Sequence, residues 1–410
     1  MPRAYVTVRP LPFGTLLRQE DGVEWMKAAL RRAAETAPVA GLDRALRLYD
    51  LLGRRSAIAT RRTALEDYAH RDWDRMRVHA APPAGDGQAG GGAAGADGAP
   101  WYRASLDARM AVFAETAEAV ARDAFAGDAE PPDALVQVSC TGYDSPNAVQ
   151  RLVAARGWAD RTRILSVGHM GCYAALPALA TAADLAAATA ARAAAAGDPG
   201  GAGPGGADAR ASVLLVETCT LHHRPATTDP DLIVQQVLFA DGAARLDVTA
   251  RPPLGPHLAL LDHFETVLPD TLDEMTWRPA DGGFRMTLSR GVPAHIRAHV
   301  AGPFGAFLAR SGLSVDDLDV LAVHPGGPRV IESTAEALGV DDDRVRHSHG
   351  VLRDRGNMSS TTLPHIWDRI VSDDAVPAGA LVGSVAFGPG LTVTGNLLRK
   401  GGAGAPDSGR

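Results

Sequence analysis

Three residues that can take part in acyl transfer lie next to glycines at predicted element junctions. Cys172 follows Gly171, His324 precedes a Pro-Gly-Gly run, and Asn357 follows Gly356. A thiolate at a helix N-terminus and beside an imidazole has a lowered pKa, so it is a nucleophile near neutral pH. The imidazole and the carboxamide can donate hydrogen bonds to an oxyanion or an enolate. The set indicates either cysteine hydrolysis or carbon–carbon bond formation on thioesters.

Each of these residues also has a structural interpretation. A single cysteine is often a small core residue, a histidine can be hydrogen-bonded or exposed, and an asparagine before a helix is often its cap. Papain-like hydrolases place their nucleophile in a CGSCW-like context early in the mature chain. The sequence around Cys172 lacks that context, which disfavours a hydrolase of this kind.

The segments around Cys172 predict alternating strands and helices, which is typical of an α/β layer structure. The predicted strands are 134–140, 162–168 and 212–219, and the predicted helices are 145–158 and 172–193. Pro177 is expected to kink the second helix or to displace its start.

The second half of the chain predicts a similar alternation of strands and helices. A strand ends at His324, a helix begins near Pro328, residues 357–371 predict a helix, and residues 380–399 predict two strands about a Gly-Pro-Gly turn. Two similar halves are plausible, although composition alone does not establish a duplication.

Composition bounds the class of protein. The chain has 410 residues, of which 46% are hydrophobic and 22% charged, as in soluble globular proteins of one large or two smaller domains. A net charge of −7 disfavours nucleic acid as a partner.

The N-terminal segment lacks the apolar core of a secretory signal, and no long strongly apolar segment predicts a membrane span. Three widely spaced cysteines suit neither a disulfide framework nor a zinc ribbon, so we expect reduced thiols and a cytoplasmic protein.

Two segments, 81–100 and 197–210, are rich in glycine, proline and alanine. Their side chains offer little area to bury, so we expect mobile surface loops. Neither loop is expected to carry chemistry.

Six stretches of the sequence resemble type III polyketide synthases, the chalcone-synthase-like family of the thiolase superfamily. They are GHMGCYAALPALATAADL, VETCTLHHRP, VLFADGAAR, AVHPGGPRVIES, RGNMSSTTLPHIWD and GSVAFGPGLTVTGNLLR. They follow the family's order from about residue 135 to 400, whereas residues 1–70 match more loosely. The resemblance implies an α/β, five-layered αβαβα thiolase-like fold with two pseudo-duplicated halves, 1–250 and 251–410, that forms a homodimer.

The resemblance also implies catalytic roles. Cys172 would carry the starter acyl group and then the growing chain, with His324 paired to it and Asn357 as the third catalytic residue. Loss of carbon dioxide from malonyl-CoA would leave an enolate that His324 and Asn357 stabilise and that attacks the thioester on Cys172. The substrates would be CoA thioesters, no cofactor or metal is implied, and the product would be a pyrone, a resorcinol or a related polyketide.

Further positions match the family's substrate cavity. Phe239 matches a gate aromatic, and Met286 falls where the plant enzymes have a second one; a flexible methionine there could admit a long or bulky acyl group. The other substrate-binding candidates are Ser359, Cys219, His222 and Glu217. His222 and His223 could instead face solvent. A zinc site formed by these histidines and Cys219 is a third, weaker alternative because it lacks a fourth ligand.

Two surface segments also match the family. In CTGYDSPNA, Ser145 would reach into the partner's cavity, and the Ser145–Pro146 bond is predicted to be cis. Cys140, at the start of this stretch, is interpreted as structural. SAIATRRTAL resembles the segment that supplies basic side chains for the phosphates of CoA, a role suited to arginine, although a solvated basic helix face is an equal alternative. The candidates are Arg55, Arg61 and Arg62.

Three other functions stay open. A single-round ketosynthase of the ketoacyl-synthase III kind would take its substrate from an acyl carrier protein. A catalytically silent acyl-binding scaffold would not need all three catalytic residues, and a hydrolase would release free acid without malonyl-CoA. The combination of GNMSS with FGPGLTV favours the polyketide synthase.

Overall fold

The computed structural model describes residues 2–35, 38–79, 104–195, 209–280 and 282–402. The expected mobile loops at 81–100 and 197–210 lie outside these ranges, except for Ala209 and Arg210. The strands are β1 (Ala4–Pro10), β2 (Thr15–Arg18), β3 (Thr60–Thr63), β4 (Ala134–Ser139), β5 (Arg163–Gly168), β6 (Arg210–Thr218), β7 (Asp241–Thr249), β8 (Leu258–Val267), β9 (Met275–Arg278), β10 (Arg285–Leu288), β11 (Val320–Val323), β12 (Leu381–Gly388) and β13 (Thr392–Lys400).

The α-helices lie between these strands along the chain. Within the described ranges, none of them is long and apolar enough to cross a membrane. They are α1 (Gln19–Ala34), α2 (Leu42–Arg54), α3 (Leu106–Ala124), α4 (Ala148–Ala155), α5 (Ala175–Ala195), α6 (Pro230–Leu238), α7 (Val292–His299), α8 (Ala301–Ala309), α9 (Pro328–Leu338), α10 (Arg346–Arg355) and α11 (Thr362–Ser372). The elements predicted around Cys172 and His324 are all present, with ends shifted by a few residues.

Nine strands form one hydrogen-bonded sheet in the order β11-β12-β13-β8-β1-β7-β6-β4-β5. In the first half β4 and β6 are parallel, and β6, β7 and β1 follow as antiparallel neighbours. The second half repeats this pattern, since β11 and β12 are parallel and β12, β13 and β8 are antiparallel. A short antiparallel pairing of β1 with β8 joins the halves. The repeated order is that of two similar units, while their boundary near residue 250 stays a prediction.

Successive strand residues contribute to different hydrophobic clusters, because side chains alternate between the faces of a sheet. Leu135 of β4 packs with α1, α2, α3, α4 and α6, whereas Val136 packs in a central cluster with α5 and α11. In the other half, Leu321 of β11 packs with α7, α8, α9 and α10, whereas Ala322 joins the central cluster. The order of layers is therefore outer helices, sheet, central helices, sheet and outer helices.

The central helix α5 suits a narrow space between two sheet faces because its buried positions are mostly alanine. It begins at Ala175, so Pro177 lies in the first turn, where the missing N–H removes no intrahelical hydrogen bond. The displaced start expected from Pro177 is observed. Cys172 therefore lies on the turn before the helix and not within it.

Trp367 of α11 tests the central layer. Its side chain is fully buried in the central cluster, and its indole N–H donates to the Ser384 hydroxyl at 2.9 Å. We expect Trp367→Ala to lower the free energy of unfolding by about 3–5 kcal/mol, because it leaves a large cavity and an unpaired hydroxyl. Trp367→Phe should cost less than half as much. Urea denaturation followed by circular dichroism measures both, and equal midpoints for wild type and Trp367→Ala would contradict the central position.

Candidate active site

Cys172 is held on a tight turn between β5 and α5. His169 and Gly171 both have left-handed backbone conformations, with φ of 60° and 89°. A Cβ atom on Gly171 would lie 2.8 Å from Cδ of Pro389, so only glycine fits there without a shift. The Ala174 N–H closes the turn on the Gly171 carbonyl at 3.2 Å. The turn holds the Cys172 thiol in the interior, at the edge of two cavities.

His324 follows the last residue of β11 and is held through its backbone. Its N–H donates to the Val385 carbonyl on the neighbouring strand at 2.9 Å. The ring is 1% exposed, and neither ring nitrogen has a hydrogen-bond partner among the described residues. Burial lowers the pKa of His324 to about 3, so the imidazole is neutral near pH 7 and can accept a proton.

Asn357 is fixed against the end of α6. Its N–H donates to the Leu238 carbonyl at 3.0 Å, and its carbonyl accepts from Ala240 N–H at 2.8 Å. Gly356 makes this contact possible, because it has φ of 71° and a Cβ there would lie 3.2 Å from the Leu238 oxygen. The Asn357 amide oxygen accepts from Ser359 N–H at 3.0 Å, which leaves its NH₂ group to donate to the Cys172 sulfur.

The electrostatics of the thiol differ from the sequence prediction. Burial raises the pKa of Cys172 to about 12, although hydrogen bonds from Ser359 and Asn357 act in the opposite direction. The negative charge of Glu217 raises it further. The predicted lowered pKa is therefore wrong for this state, because desolvation of the thiolate outweighs the donors around it.

An outer cavity of about 640 Å³ brings the three predicted catalytic residues together. Cys172, His324 and Asn357 all line it, although they come from three separate segments. Its volume lies in the range of pockets that hold small molecules. Other lining residues are Arg55, Gln235, Phe239, Met275, Met286 and Phe387.

A second, inner cavity of about 50 Å³ shares Cys172 with the outer cavity. Phe239 and Met286 line both cavities, and their role as gate residues stays a prediction. Predicted cavity residues that line the inner one are Cys219, His222 and Ser359. Cys140, which was interpreted as structural, lines it too.

His222 faces the inner cavity and not solvent. Its Nδ1 accepts from Phe284 N–H at 2.9 Å, so Nε2–H donates to the Thr141 carbonyl at 2.7 Å. The ring stacks on Phe284 at 4.4 Å between centroids. Burial lowers the pKa of His222 to about 3, which keeps the ring neutral. The described residues contain no group of three His, Cys, Asp or Glu placed to hold a metal ion, which speaks against the zinc alternative.

Comparison with known proteins shows which proteins the chain is similar to. Residues 260–401 match the family model for the C-terminal domain of chalcone and stilbene synthases. The chain is 31% identical over 272 residues to the alpha-pyrone synthesis polyketide synthase-like Pks18 of Mycobacterium tuberculosis, an alignment that covers 64% of each protein. It is 29% identical over 316 residues to the 1,3,6,8-tetrahydroxynaphthalene synthase of Streptomyces peucetius, with 76% of this chain and 77% of the relative covered. The C-terminal part of the chain therefore resembles the chalcone and stilbene synthases, and most of its length is similar to bacterial polyketide synthases.

A solved crystal structure has the same fold. The crystal structure of PKS-I from the brown alga Ectocarpus siliculosus superposes with a TM-score of 0.76 at 24% identity, over 97% of this chain and 98% of that one. This likeness confirms the five-layered thiolase-like fold predicted from the motifs. The match to Pks18 spans less than two thirds of that relative's length.

Two of the three arginines predicted to bind CoA phosphates are engaged elsewhere in this chalcone-synthase-like chain. Arg61 is 2% exposed and donates to the Gln236 and Phe239 carbonyls at 2.5 and 3.0 Å. Because β3 alternates its side chains, Arg61 points into the interior and cannot reach a phosphate, contrary to the prediction. Arg62 donates to two loop carbonyls and lines neither cavity. Arg55 alone of the three lines the outer cavity.

Glu217 does not contact the substrate space, contrary to the prediction. It is fully buried, lines neither cavity, and accepts hydrogen bonds from the Thr141 and Ser360 hydroxyls. Burial raises the pKa of Glu217. Through these hydrogen bonds Glu217 stabilises the segments that carry Thr141 and Ser360.

Ser145 is exposed and lines neither of the cavities described for this chain. The Ser145–Pro146 peptide is cis, as predicted. Its reach into a partner's cavity stays a prediction.

Several lining residues were not predicted, chiefly Met275, Trp277, Phe284, Gln235 and Phe387. Trp277 donates from its indole N–H to the Cys140 carbonyl at 2.6 Å and so fixes one wall of the inner cavity. Phe387 lies in the FGPG motif that carried the family resemblance. The short hairpin of β9 and β10, which carries Met275 and Trp277, has too few residues for a periodic signal.

The pH dependence of Cys172 alkylation tests the neutral thiol–imidazole pair. With His324 as proton acceptor, we expect the rate with iodoacetamide to change less than threefold between pH 7 and 9. In His324→Ala the raised thiol pKa governs reactivity, so the rate should rise about tenfold per pH unit, because the thiolate fraction does so below the pKa. Mass spectrometry of the Cys172 peptide measures the rate. Identical pH profiles for the two proteins would contradict the role of His324 as proton acceptor.

Proposed function

We propose that the protein is a type III polyketide synthase that condenses an acyl-CoA starter with malonyl-CoA by decarboxylative Claisen chemistry. The observation that carries this proposal is the meeting of Cys172, His324 and Asn357 at one cavity, with Cys172 shared by a second cavity behind it. A single nucleophile between two spaces suits an enzyme that loads a chain from one side and extends it in the other. The similarity to chalcone and stilbene synthases and to Pks18 supports the same reaction class.

In the loading step His324 accepts the proton of the Cys172 thiol as the sulfur attacks the acyl-CoA carbonyl. The ring is positioned for this role because both of its nitrogens are unpaired among the described residues. The Asn357 NH₂ group donates to the oxyanion that develops. CoA then leaves with the proton from His324, and the acyl group stays on Cys172 as a thioester.

In the extension step the malonyl carboxylate leaves as carbon dioxide, and its electron pair passes into the thioester as an enolate. Neutral donors on His324 and Asn357 stabilise this enolate without a carboxylate base. The enolate carbon attacks the acyl carbonyl on Cys172, the C–S bond breaks, and the chain is two carbons longer. The sulfur must then be loaded again, which requires the chain to return from CoA.

The comparisons favour this reaction over single-round ketosynthesis on a carrier protein. Both curated relatives bear names of polyketide synthesis, an alpha-pyrone in one and a tetrahydroxynaphthalene in the other. We propose a pyrone or resorcinol type of product for this chain, made in the cytoplasm. An acyl carrier protein stays a candidate source of the starter.

We also propose a homodimer. Ile164 and Leu165 lie on β5, the edge strand of the sheet, and are each 39% exposed. An apolar edge strand is a hazard for a monomer unless another chain covers it. The nearby Ser145 loop could then reach the second copy.

Intact-protein mass tests the nucleophile and identifies the starter. The protein is mixed with acyl-CoAs from acetyl to long-chain, and malonyl-CoA is added afterwards. We expect an acyl adduct on the wild type that extends or is released as pyrone when malonyl-CoA arrives, because the thioester on Cys172 is the electrophile. Cys172→Ala should carry no adduct. Adducts of equal yield on the alanine variant, or hydrolysis to free acid without malonyl-CoA, would contradict the proposal.

Arg55 tests delivery on CoA. Its side chain lines the outer cavity beside Ser56 and Ala57, where it can hold a phosphate of CoA. We expect Arg55→Ala to raise KM for acyl-CoA by about tenfold, roughly one charged hydrogen bond, and to leave KM for the acyl-N-acetylcysteamine thioester unchanged. Arg62→Ala is the matched control and should behave like wild type with both substrates. An unchanged KM for acyl-CoA in Arg55→Ala would favour carrier-protein delivery.

A further inference from the structure

We propose that Cys140 and Cys172 form a modification site, a dithiol that hydrogen peroxide converts to a reversible intramolecular disulfide. The site would take small thiol-directed oxidants and trivalent arsenicals. It uses the two thiols and nearby proton acceptors and needs no acyl substrate, so it does not depend on the condensing activity.

The fold brings the two cysteines together from adjacent strands. β4 and β5 are parallel neighbours, with Ser139 paired to Gly168, and the His169 N–H donates to the Ser139 carbonyl at 3.2 Å. Cys140 is the first residue after β4, and Cys172 follows β5 on its turn. The paired strand ends therefore place the residue after β4 and the turn after β5 at the same edge of the sheet.

One hydroxyl group lies within reach of both sulfurs. The Ser359 Oγ lies 2.9 Å from the Cys140 Sγ, and it also hydrogen-bonds to the Cys172 thiol. Two sulfurs that hydrogen-bond to the same oxygen atom lie within two hydrogen-bond lengths of each other. Disulfide formation requires that rotation about the side-chain bonds of the two cysteines closes this remaining distance.

Both thiols line the inner cavity, which gives an oxidant access to them. Its volume of about 50 Å³ accommodates a molecule of the size of water or hydrogen peroxide. A molecule of this size can therefore reach both thiols from one space.

In the first step His324 takes the proton of Cys172, and the sulfur attacks one oxygen of hydrogen peroxide. The O–O bond breaks, Cys172 becomes a sulfenic acid, and the hydroxide released takes the proton back from His324 to form water.

In the second step the Cys140 sulfur attacks the sulfenic sulfur. Glu217 is placed to receive the Cys140 proton, because its Oε2 accepts from that thiol at 3.5 Å. The S–O bond breaks as the S–S bond forms, and the leaving hydroxide takes this proton as a second water. Two thiols lose two electrons in total, and one peroxide is reduced to two waters. A reducing thiol restores both cysteines.

Cys219 provides the internal control. It is buried and lines the same cavity, but within the described residues it shares no hydrogen-bond partner with the other two cysteines. A general reactivity of buried thiols would involve it equally, whereas the geometry selects Cys140 and Cys172.

The test exposes the full-length protein to a small excess of hydrogen peroxide and follows intact mass, followed by peptide mapping without reduction. We expect a loss of about 2 Da, a Cys140–Cys172 linked peptide, and full reversal by dithiothreitol, since a disulfide is the reversible outcome. Cys219→Ser should behave like the wild type. Cys140→Ser should instead gain about 32 Da on Cys172, the irreversible sulfinic acid. Direct gain of oxygen on the wild-type Cys172, or a link that includes Cys219, would overturn the proposal.

A second measurement uses the wild type alone and does not depend on a variant folding. Arsenite, a small trivalent arsenical, bridges two close thiols, so it should slow the labelling of Cys172 by iodoacetamide. A dithiol should reverse the protection. Labelling of Cys172 that arsenite does not slow would contradict the proximity of the two thiols, whatever the protein's catalytic activity.

Discussion

The buried carboxylate of Glu217 connects the loops from which the site is built. At the end of β6 it accepts from the backbone N–H of Cys140 at 3.1 Å, from the Thr141 hydroxyl at 2.7 Å, and from the Ser360 hydroxyl. The loop after β4 and the turn after Asn357 are thereby tied to the same strand. A buried carboxylate is stable only where donors surround it, and the donors would in turn be unpaired without it. A residue that touches neither cavity thus sets the positions of groups that do.

The same burial determines the charge state of the reacting groups. Cys172 and His324 are each more stable neutral because the interior penalises a thiolate and an imidazolium separately. A thiolate on Cys172 and an imidazolium on His324 would stabilise one another if they formed together. The proton therefore needs to pass from the sulfur to the imidazole only when the sulfur attacks a substrate. A neutral resting site keeps the nucleophile in its thiol form, and a thiol is much less readily oxidised or alkylated than a thiolate.

The sequence alone predicts the three residues that meet at the outer cavity better than it predicts the residues around them. Cys172, His324 and Asn357 could be found because glycines and strand ends mark them, and these features report backbone geometry directly. No comparable sequence feature indicates on which face of a strand a charged residue lies. Arg61 and Arg62 are neighbours in β3, and only the paired register reveals that Arg61 is the one that points inward. Trp277 escaped prediction because a four-residue strand has no usable period.

The two cavities differ in how their walls can move, and this difference constrains where a growing chain can go. One wall of the inner cavity is a rigid aromatic group in which Phe284 stacks on His222 and packs edge-on against Trp277. The other wall, shared with the outer cavity, contains Met275 and Met286, whose unbranched side chains change rotamer readily. The polyketide product proposed above would need this cavity of about 50 Å³ to expand. Because stacked rings with fixed hydrogen bonds resist displacement, that expansion would occur at the methionine wall, which the outer cavity shares.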